Sequence, residues 1–502
     1  MHQLQNQSVV ILGGGPTGLG AARSLTEIGD VYVRVFDENP AAGGLASSFV
    51  DSNGFTWDIG GHVQFSHYRY FDDLMNELLG DQWLEHTREA WIWMRDRFIP
   101  YPLQKNIHLL PQEDFLRCIN GLRDLAMRGA MPIENFQDWI EASFGVGLAE
   151  IFLVPYNFKV WAHQPSTMSH QWVGERVATI DLERIIANAN DGHIEKPWGP
   201  NSRFRFPACG GTGKIWRTLA DQLPAGVFQP NCHCVRIDSA MKMVYFEDGS
   251  QERYDRLIST IPLDILISLA NLESLKPCIS QFRYSAVHVI GIGLKGTPPP
   301  QLKSKCWMYF PEDDCPFYRA TVFSNYSPNN VPDISRFWSL LLEISESRFK
   351  PVDRSGLVDS TVEGLLATKL IESPNQVAGI WTRSMDHGYP TPFLGRDRLV
   401  EPILAELEKV DIYSRGRFGG WKYEVSNQDH SLMQGVELVN RLAFGIPEVT
   451  YWFPDAVNGS RRQPGEDTWS RSSWPPSMKG RSLNSQFGNG TRKLSLEFPA
   501  RS

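Results

Sequence analysis

An apolar strand running into consecutive glycines and then a helix leaves a chain few folds, and it stands here near the N-terminus as Val9-Val10-Ile11-Leu12-Gly13-Gly14-Gly15-Pro16-Thr17-Gly18-Leu19-Gly20. The order fits a buried strand entering a tight turn at Gly13, a backbone that can approach a pyrophosphate at Gly15, and a helix packed closely at Gly18. The anion then sits at the helix N-terminus, beside Thr17. Asp37 lies 19 residues after Gly18, closing the apolar stretch Val31-Tyr32-Val33-Arg34-Val35-Phe36. Its carboxylate can accept hydrogen bonds from ribose hydroxyls and disfavours a 2′-phosphate, so FAD or NAD is expected at this site over NADP.

Two further glycine pairs separate these cofactors: Gly43-Gly44-Leu45 and Gly60-Gly61-His62 fall within the first 65 residues. Repeated close backbone contact suits a long cofactor. The layout resembles the FAD domain shared by amine oxidases, protoporphyrinogen oxidase and UDP-galactopyranose mutases.

With 502 residues, 42% hydrophobic and 12% aromatic, the chain can form two or three domains around a large core. A net charge of −8 gives no global basic field for nucleic acid or an anionic membrane, so an anionic ligand must be held by local arginines. No apolar run is read as long enough to span a bilayer, and Met1–Gln7 lacks a charged segment leading into an apolar one, so a cytoplasmic protein with no membrane partner is expected. Seven cysteines without framework spacing fit reduced thiols. No second ligand pair follows Cys232-His233-Cys234, so strand-embedded thiols and no metal are expected there.

The predicted fold is α/β: a Rossmann-like FAD-binding domain with an inserted helical domain and a mostly antiparallel substrate-binding sheet. The FAD domain is discontinuous, taking 1–70, about 200–275 and about 415–459. The helical insertion spans about 71–195, and the sheet-rich substrate domain about 276–414. Helices are predicted over Phe71–Leu79, Phe136–Ala142, Gly211–Leu223 and from near Ser431, and strands over Val235–Asp238, Met243–Phe246, Leu257–Pro262, Val287–Gly293, Cys306–Phe310 and Trp338–Glu343. Residues 460–502 turn to Ser, Arg, Pro and Gly without periodicity, which predicts a disordered tail.

Polar and aromatic residues concentrate in Tyr101-Pro102-Leu103-Gln104, Tyr156-Asn157-Phe158-Lys159-Val160-Trp161, Phe317-Tyr318-Arg319 and Arg415 through His430. On these segments, and on Gly60-Gly61-His62-Val63, Asp386-His387-Gly388-Tyr389 and Asn427-Gln428-Asp429-His430, the chain resembles the eukaryotic UDP-galactopyranose mutases, fungal members in particular, over most of residues 8–459.

The resemblance implies interconversion of UDP-galactopyranose and UDP-galactofuranose without net redox change. The FAD must be reduced, with NADPH or NADH as the reductant. Reduced-flavin N5 attacks the anomeric carbon, UDP leaves, and the sugar recloses through its other hydroxyl before UDP returns. The chain offers no obviously activated Ser or Cys for that attack. Arg319 and Arg417 match the pair that grips the diphosphate, suited to it by planar, bidentate guanidiniums. Tyr309, Tyr389, Tyr423 and Asn427 match donors around the diphosphate. Tyr101, Gln104, Tyr156, Asn157, Trp161, Arg176 and Asn201 match the side that holds uridine and sugar. His62 matches a histidine that tunes the flavin, and Gln428, Asp429 and Ser431 complete the cofactor set.

Segments within 178–199 are the expected lid over the pocket. Gln64 and Cys209 depart from the fungal pattern at places expected near cofactor or substrate. A homo-oligomer is compatible with the sequence. Two other activities share most of these features: a mutase-like enzyme for another UDP-sugar in a specialised pathway, and an FAD-dependent oxidase of the amine-oxidase type. A non-catalytic flavoprotein that senses a UDP-sugar is a third possibility.

Overall fold

A computed structural model of the chain describes residues 2–128, 131–195 and 202–458. Strand β1 (Ser8–Leu12) alternates between two apolar cores, Val9 and Ile11 facing one, Val10 and Leu12 the other. Burial on both faces is what a central parallel strand requires. Helix α1 (Pro16–Ile28) starts at once, with Pro16 in its first turn, and β2 (Tyr32–Phe36) returns parallel to β1, Leu12 opposite Phe36. The hairpin β3 (Ser48–Val50) and β4 (Thr56–Asp58) and helix α2 (Arg69–Leu79) follow.

Helix α2 matches the helix predicted over Phe71–Leu79, but the predicted helical insertion then continues with three strands: β5 (Trp83–Thr87), β6 (Ala90–Met94) and β7 (Arg97–Pro100). Arg95 and Asp96 join β6 to β7 in a two-residue turn, both at positive φ (55° and 59°). Such turns are normally marked by Asn or Gly, and their absence hid the hairpin. Helices α3 (Gln112–Arg128), α4 (Phe136–Leu148), α5 (Val154–Trp161) and α6 (Leu182–Asp191) come after it. The helical run Phe136–Trp161 corrects the expectation of no spanning-length apolar run: an 18-residue window within it has mean hydropathy 1.2. Half of that window is buried inside the protein. A non-helical Gly145 and a π-helical stretch at Ala149–Leu153 interrupt the run.

Strand β8 (Arg203–Pro207) pairs antiparallel with β5, and helix α7 (Gly213–Asp221) and strand β9 (Phe228–Gln229) lead to the meander of β10 (Cys234–Asp238), β11 (Met243–Phe246) and β12 (Gln251–Arg253). Next come β13 (Arg256–Ser259), α8 (Leu263–Leu269), β14 (Tyr284–Lys295), β15 (Trp307–Tyr309), β16 (Arg319–Val322) and β17 (Phe337–Glu346). The chain closes through α9 (Leu357–Ala367), β18 (Val377–Pro390), α10 (Arg396–Glu408), β19 (Ile412–Ser414), α11 (Gln428–Phe444) and the short α12 (Pro454–Val457).

Two sheets position the site. One is fully parallel in the order β19-β13-β1-β2-β9. Its edge strand β19 starts just before the expected boundary near 415. The other runs β18-β14-β17-β16-β15-β6-β7, antiparallel except between β15 and β6. Strands β6 and β7, within the predicted helical insertion, therefore extend the seven-stranded sheet. Helices α1 and α11 cross at backbone distance, since a Cβ on Gly20 would meet Leu432 O at 2.5 Å and one on Gly435 would meet Thr17 O at 2.0 Å.

Candidate active site

The loop between β1 and α1 opens a cavity of about 1100 Å³ that runs from the parallel sheet to the seven-stranded one. Gly13 sits at φ +103°, and a Cβ on Gly18 would lie 1.9 Å from Gly13 O, so the turn closes only with glycine there. Gly18 does not line the cavity and works by packing, whereas Gly13, Gly15 and Thr17 do line it. No side chain caps α1, and its first turn carries no acid. Its N–H groups are left for an anion. Asp37 is buried, accepting from Gly14 N at 2.6 Å with Oδ2 and from Asn39 N at 2.8 Å with Oδ1. Gly43 N donates to Gly14 O at 2.9 Å, which brings Gly44 and Leu45 onto the same rim.

Strand register builds the opposite wall. Tyr309, Arg319, Glu343, Val289 and Arg383 are successive cross-strand partners on β15, β16, β17, β14 and β18. Directly opposed side chains share a face, so Arg319 and Glu343 meet. Arg319 donates to Glu343 through Nε at 2.8 Å and Nη2 at 2.6 Å, while Tyr318 OH and Gly61 N donate to the same carboxylate at 2.8 and 3.0 Å. Burial alone would raise the Glu343 carboxyl; the guanidinium and these donors outweigh it and hold it below its ordinary value. Gly60, Gly61 and His62 are thereby pinned at the cavity wall. Burial lowers the His62 ring to about 4, with Arg417 and Arg319 adding to the effect against Glu343, and its Nδ1 has no partner among the described residues.

Arg417 is the contrasting arginine. Among the described residues it faces no carboxylate: Nη2 and Nε donate to Gly388 O at 3.1 and 3.3 Å, and Nη1 to Ser426 Oγ at 3.0 Å. Its guanidinium lies 4.8 Å over the Tyr389 ring and 5.8 Å over that of Tyr423. Trp161 packs edge-on to Tyr423 at 4.7 Å and to Tyr389 at 5.8 Å. Tyr309 bridges Tyr101 at 5.7 Å and Tyr156 at 5.8 Å. Burial raises the phenols of Tyr309 and Tyr389, pushes Tyr101 up to about 12, and lifts Tyr156 well above its ordinary value. All four stay protonated donors at neutral pH.

A profile described as flavin containing amine oxidoreductase matches residues 16–299. A solved structure of reduced UDP-galactopyranose mutase superposes with TM-score 0.88 at 47% identity, covering 92% of this chain and 99% of that one. The chain belongs to the UDP-galactopyranose mutase family. A fatty acid isomerase from P. acnes (TM-score 0.60, 12% identity, 87% of this chain and 98% of that one) and wild-type putrescine oxidase bound to putrescine (0.58, 14%, 87% and 98%) share the fold alone.

FAD, the cofactor of this mutase family, fits the residues present. A Cβ on Gly15 would meet only Gly43 O at 3.8 Å and Gly44 Cα at 3.9 Å, so the cradle is open toward the cavity, with the uncapped helix and Asp37 beside it. The volume exceeds what one small ligand needs. Gln428, Asp429 and Ser431, at the start of α11, line the cavity as well. The Asp429 carboxylate is turned to His67, accepting from its N at 3.0 Å and pairing with its Nδ1 at 2.7 Å. The Gln428 carbonyl is taken by Trp216 Nε1 at 2.8 Å.

The cavity also brings together Gln104, Asn157, Arg176 and Asn427. Gln104 Nε2 donates to Ala178 O at 3.1 Å, Asn157 Nδ2 to Leu153 O at 2.8 Å and Arg176 Nη2 to Glu424 O at 2.5 Å. Asn201 and the tail 460–502 lie outside the described residues. Two expectations are corrected. Cys209 is exposed and does not line the cavity, whereas Gln64 does. None of the described residues of 178–195 lines the cavity either, since Gln104 and Asn106 tie that segment to the protein at Ala178 and Glu195.

Sequence reasoning missed Glu343, whose one signal was a lone acid in the apolar strand Leu340-Leu341-Leu342-Glu343-Ile344. It also missed that Cys232, His233 and Cys234 line the cradle end of the cavity, beside Asp37 and Glu38. There His233 Nδ1 lies 3.1 Å from Glu38 Oε2.

Proposed function

We propose that this protein interconverts UDP-galactopyranose and UDP-galactofuranose on bound FAD, as the activity named for its mutase relative suggests. The observation that carries the proposal is Arg417, a cavity-lining cation without a carboxylate partner among the described residues, in the same cavity as Arg319, a guanidinium that has one. A diphosphate brings about two negative charges to such a place.

The flavin, when reduced, supplies the nucleophile for the anomeric carbon. The protein supplies position and charge. Arg417 takes the phosphoryl oxygens as a fixed fork, its plane held by Gly388 O, Ser426 Oγ and the Tyr389 ring. Arg319 adds directed N–H groups with its charge already balanced by Glu343. The protonated phenols of Tyr309 and Tyr389, with Tyr423 and Asn427, donate to oxygens that gain charge as UDP departs. Tyr101, Gln104, Tyr156, Asn157, Trp161 and Arg176 form the uridine and sugar side, which Asn201 joins. His62 stays neutral at the cavity wall, where it would tune a bound flavin through its ring.

NADPH or NADH is the reductant in this reading. Seven free cysteines support a reducing, cytoplasmic setting. Exposed Leu116, Met127 and Val146 on α3 and α4 support self-association.

The test is anaerobic: protein reduced with dithionite is given UDP-galactofuranose and the UDP-sugars are separated by chromatography against an oxidised control. Conversion in the reduced sample alone is expected. No conversion by a reduced, FAD-loaded protein overturns the assignment and directs the search to other UDP-sugars.

A further inference from the structure

A second cavity of about 440 Å³ lies where the chain leaving α5, the segment entering β14, the turn after β17 and the start of α10 converge. It shares a wall with the first. His163 lines it, and His163 Nδ1 is bonded to the carbonyl of Trp161 at 2.9 Å, while the Trp161 ring belongs to the larger cavity.

The charge of this second space is one-sided. Arg283 and Arg348 both line it, and no lining residue is acidic. Arg283 uses Nη1 on the carbonyls of Ser280 and Phe282 at 2.8 and 3.1 Å, which leaves Nε and Nη2 without an acceptor among the described residues. Arg348 lies 4.6 Å over the ring of Phe349. Neither arginine forms an ion pair among the described residues, whereas nearby Arg354 pairs with Glu346 and Arg396 with Glu424. Burial and the Arg348 charge lower the Arg283 guanidinium, and burial and both guanidiniums lower His163. Like charges that converge on one space without a counter-charge repel, and an anion between them removes the repulsion.

The rest of the lining is suited to such an anion. Thr391 brings a hydroxyl, while that of Thr167 is spent on Gln164 O at 2.7 Å. Gly395, at φ +79°, opens α10 with no side-chain cap, and the first-turn acid Asp397 is turned away to Arg396 at 2.9 Å. Phe349, half exposed and edge-on to His163 at 5.3 Å, gives an apolar face beside the arginines.

We propose that this second cavity binds a small phosphate-bearing anion, a phosphate monoester or a diphosphate, with its oxygens between Arg283 and Arg348 and its organic part against Phe349. Two guanidiniums match a dianionic group with several acceptor oxygens better than a monoanionic carboxylate.

The test is calorimetric titration of the FAD-loaded protein with inorganic pyrophosphate at low salt. Two classes of site are expected. The double variant Arg283→Gln with Arg348→Gln loses one class, its affinity falling by about tenfold or more, and keeps the other. Arg417→Gln does the reverse. Arg348→Gln alone, at an exposed position, weakens the same class and serves if the double variant fails to retain flavin. Two classes of unchanged affinity in the folded Arg348→Gln and double variants, or a single class abolished by Arg417→Gln, overturn the proposal.

Discussion

Arg319 and Arg417 look alike in the sequence, each an arginine among aromatics, yet one is neutralised by a buried carboxylate and the other is held only by neutral acceptors. Their variants should therefore differ. Arg417→Ala is expected to lower kcat/KM by about 100-fold or more with little loss of fold, and Arg417→Lys to recover only part of it, because an ammonium cannot replace a fork. Anaerobic steady-state kinetics check both, and wild-type rates in either would remove Arg417 from the site. Glu343→Gln leaves Arg319 charged and buried without its partner, and is expected to cost about 3 kcal/mol of stability, read by denaturant unfolding. His62 is neutral when folded above about pH 4, whereas in the unfolded chain its proton is taken up near 6.5. The unfolded state therefore binds more protons between those values, and stability rises with pH across that window. His62→Gln should flatten this rise in a melting-temperature series from pH 4.5 to 7; an unchanged slope would show that the ring is solvated.

Among elements, the crossing of α1 and α11 fixes the geometry on which the cofactor depends. Gly435 meets the backbone of Thr17, which cannot move without moving the phosphate cradle. Gly435→Ala is expected to destabilise the protein by about 1–3 kcal/mol and to release flavin, seen as loss of yellow colour on gel filtration. Full flavin retention would contradict the close crossing. Helix α11 also holds Glu437, raised by burial to about 7 although Val449 N, Thr450 N and Thr450 Oγ1 donate to it at 2.9, 2.8 and 2.7 Å. The folded protein keeps this proton up to about pH 7 and the unfolded chain loses it near 4.5, so this group makes stability fall as pH rises between those values. The sign is opposite to that of His62. Glu437→Gln should remove that decline in the same melting series, and an undiminished decline would place it elsewhere.

For the molecule as a whole, the site exists only where two sheets and the helices between them face one cavity, so occupancy and folding are linked. Free FAD at 100 times its dissociation constant is expected to add about 2.7 kcal/mol, measurable as a higher melting temperature of holoprotein than of flavin-stripped protein; equal melting temperatures would mean that the cradle does not hold the cofactor. The parallel sheet, the cradle and most of the cavity's aromatics were legible in the sequence because their signals are local: a strand, glycines and an acid at fixed spacing, or dense tyrosines beside arginines. Hairpin β6–β7 was not, because Arg95 and Asp96 take positive φ without the residues that usually mark it. The apolar run Phe136–Trp161 was hidden by scattered polar residues. By itself the sequence determined the dinucleotide cradle, the α/β class and many of the residue types that line the cavity. Only the tertiary structure decided which arginine carries an unpaired charge, since the Arg319–Glu343 pair is made by strand register across 24 residues and no local pattern encodes it.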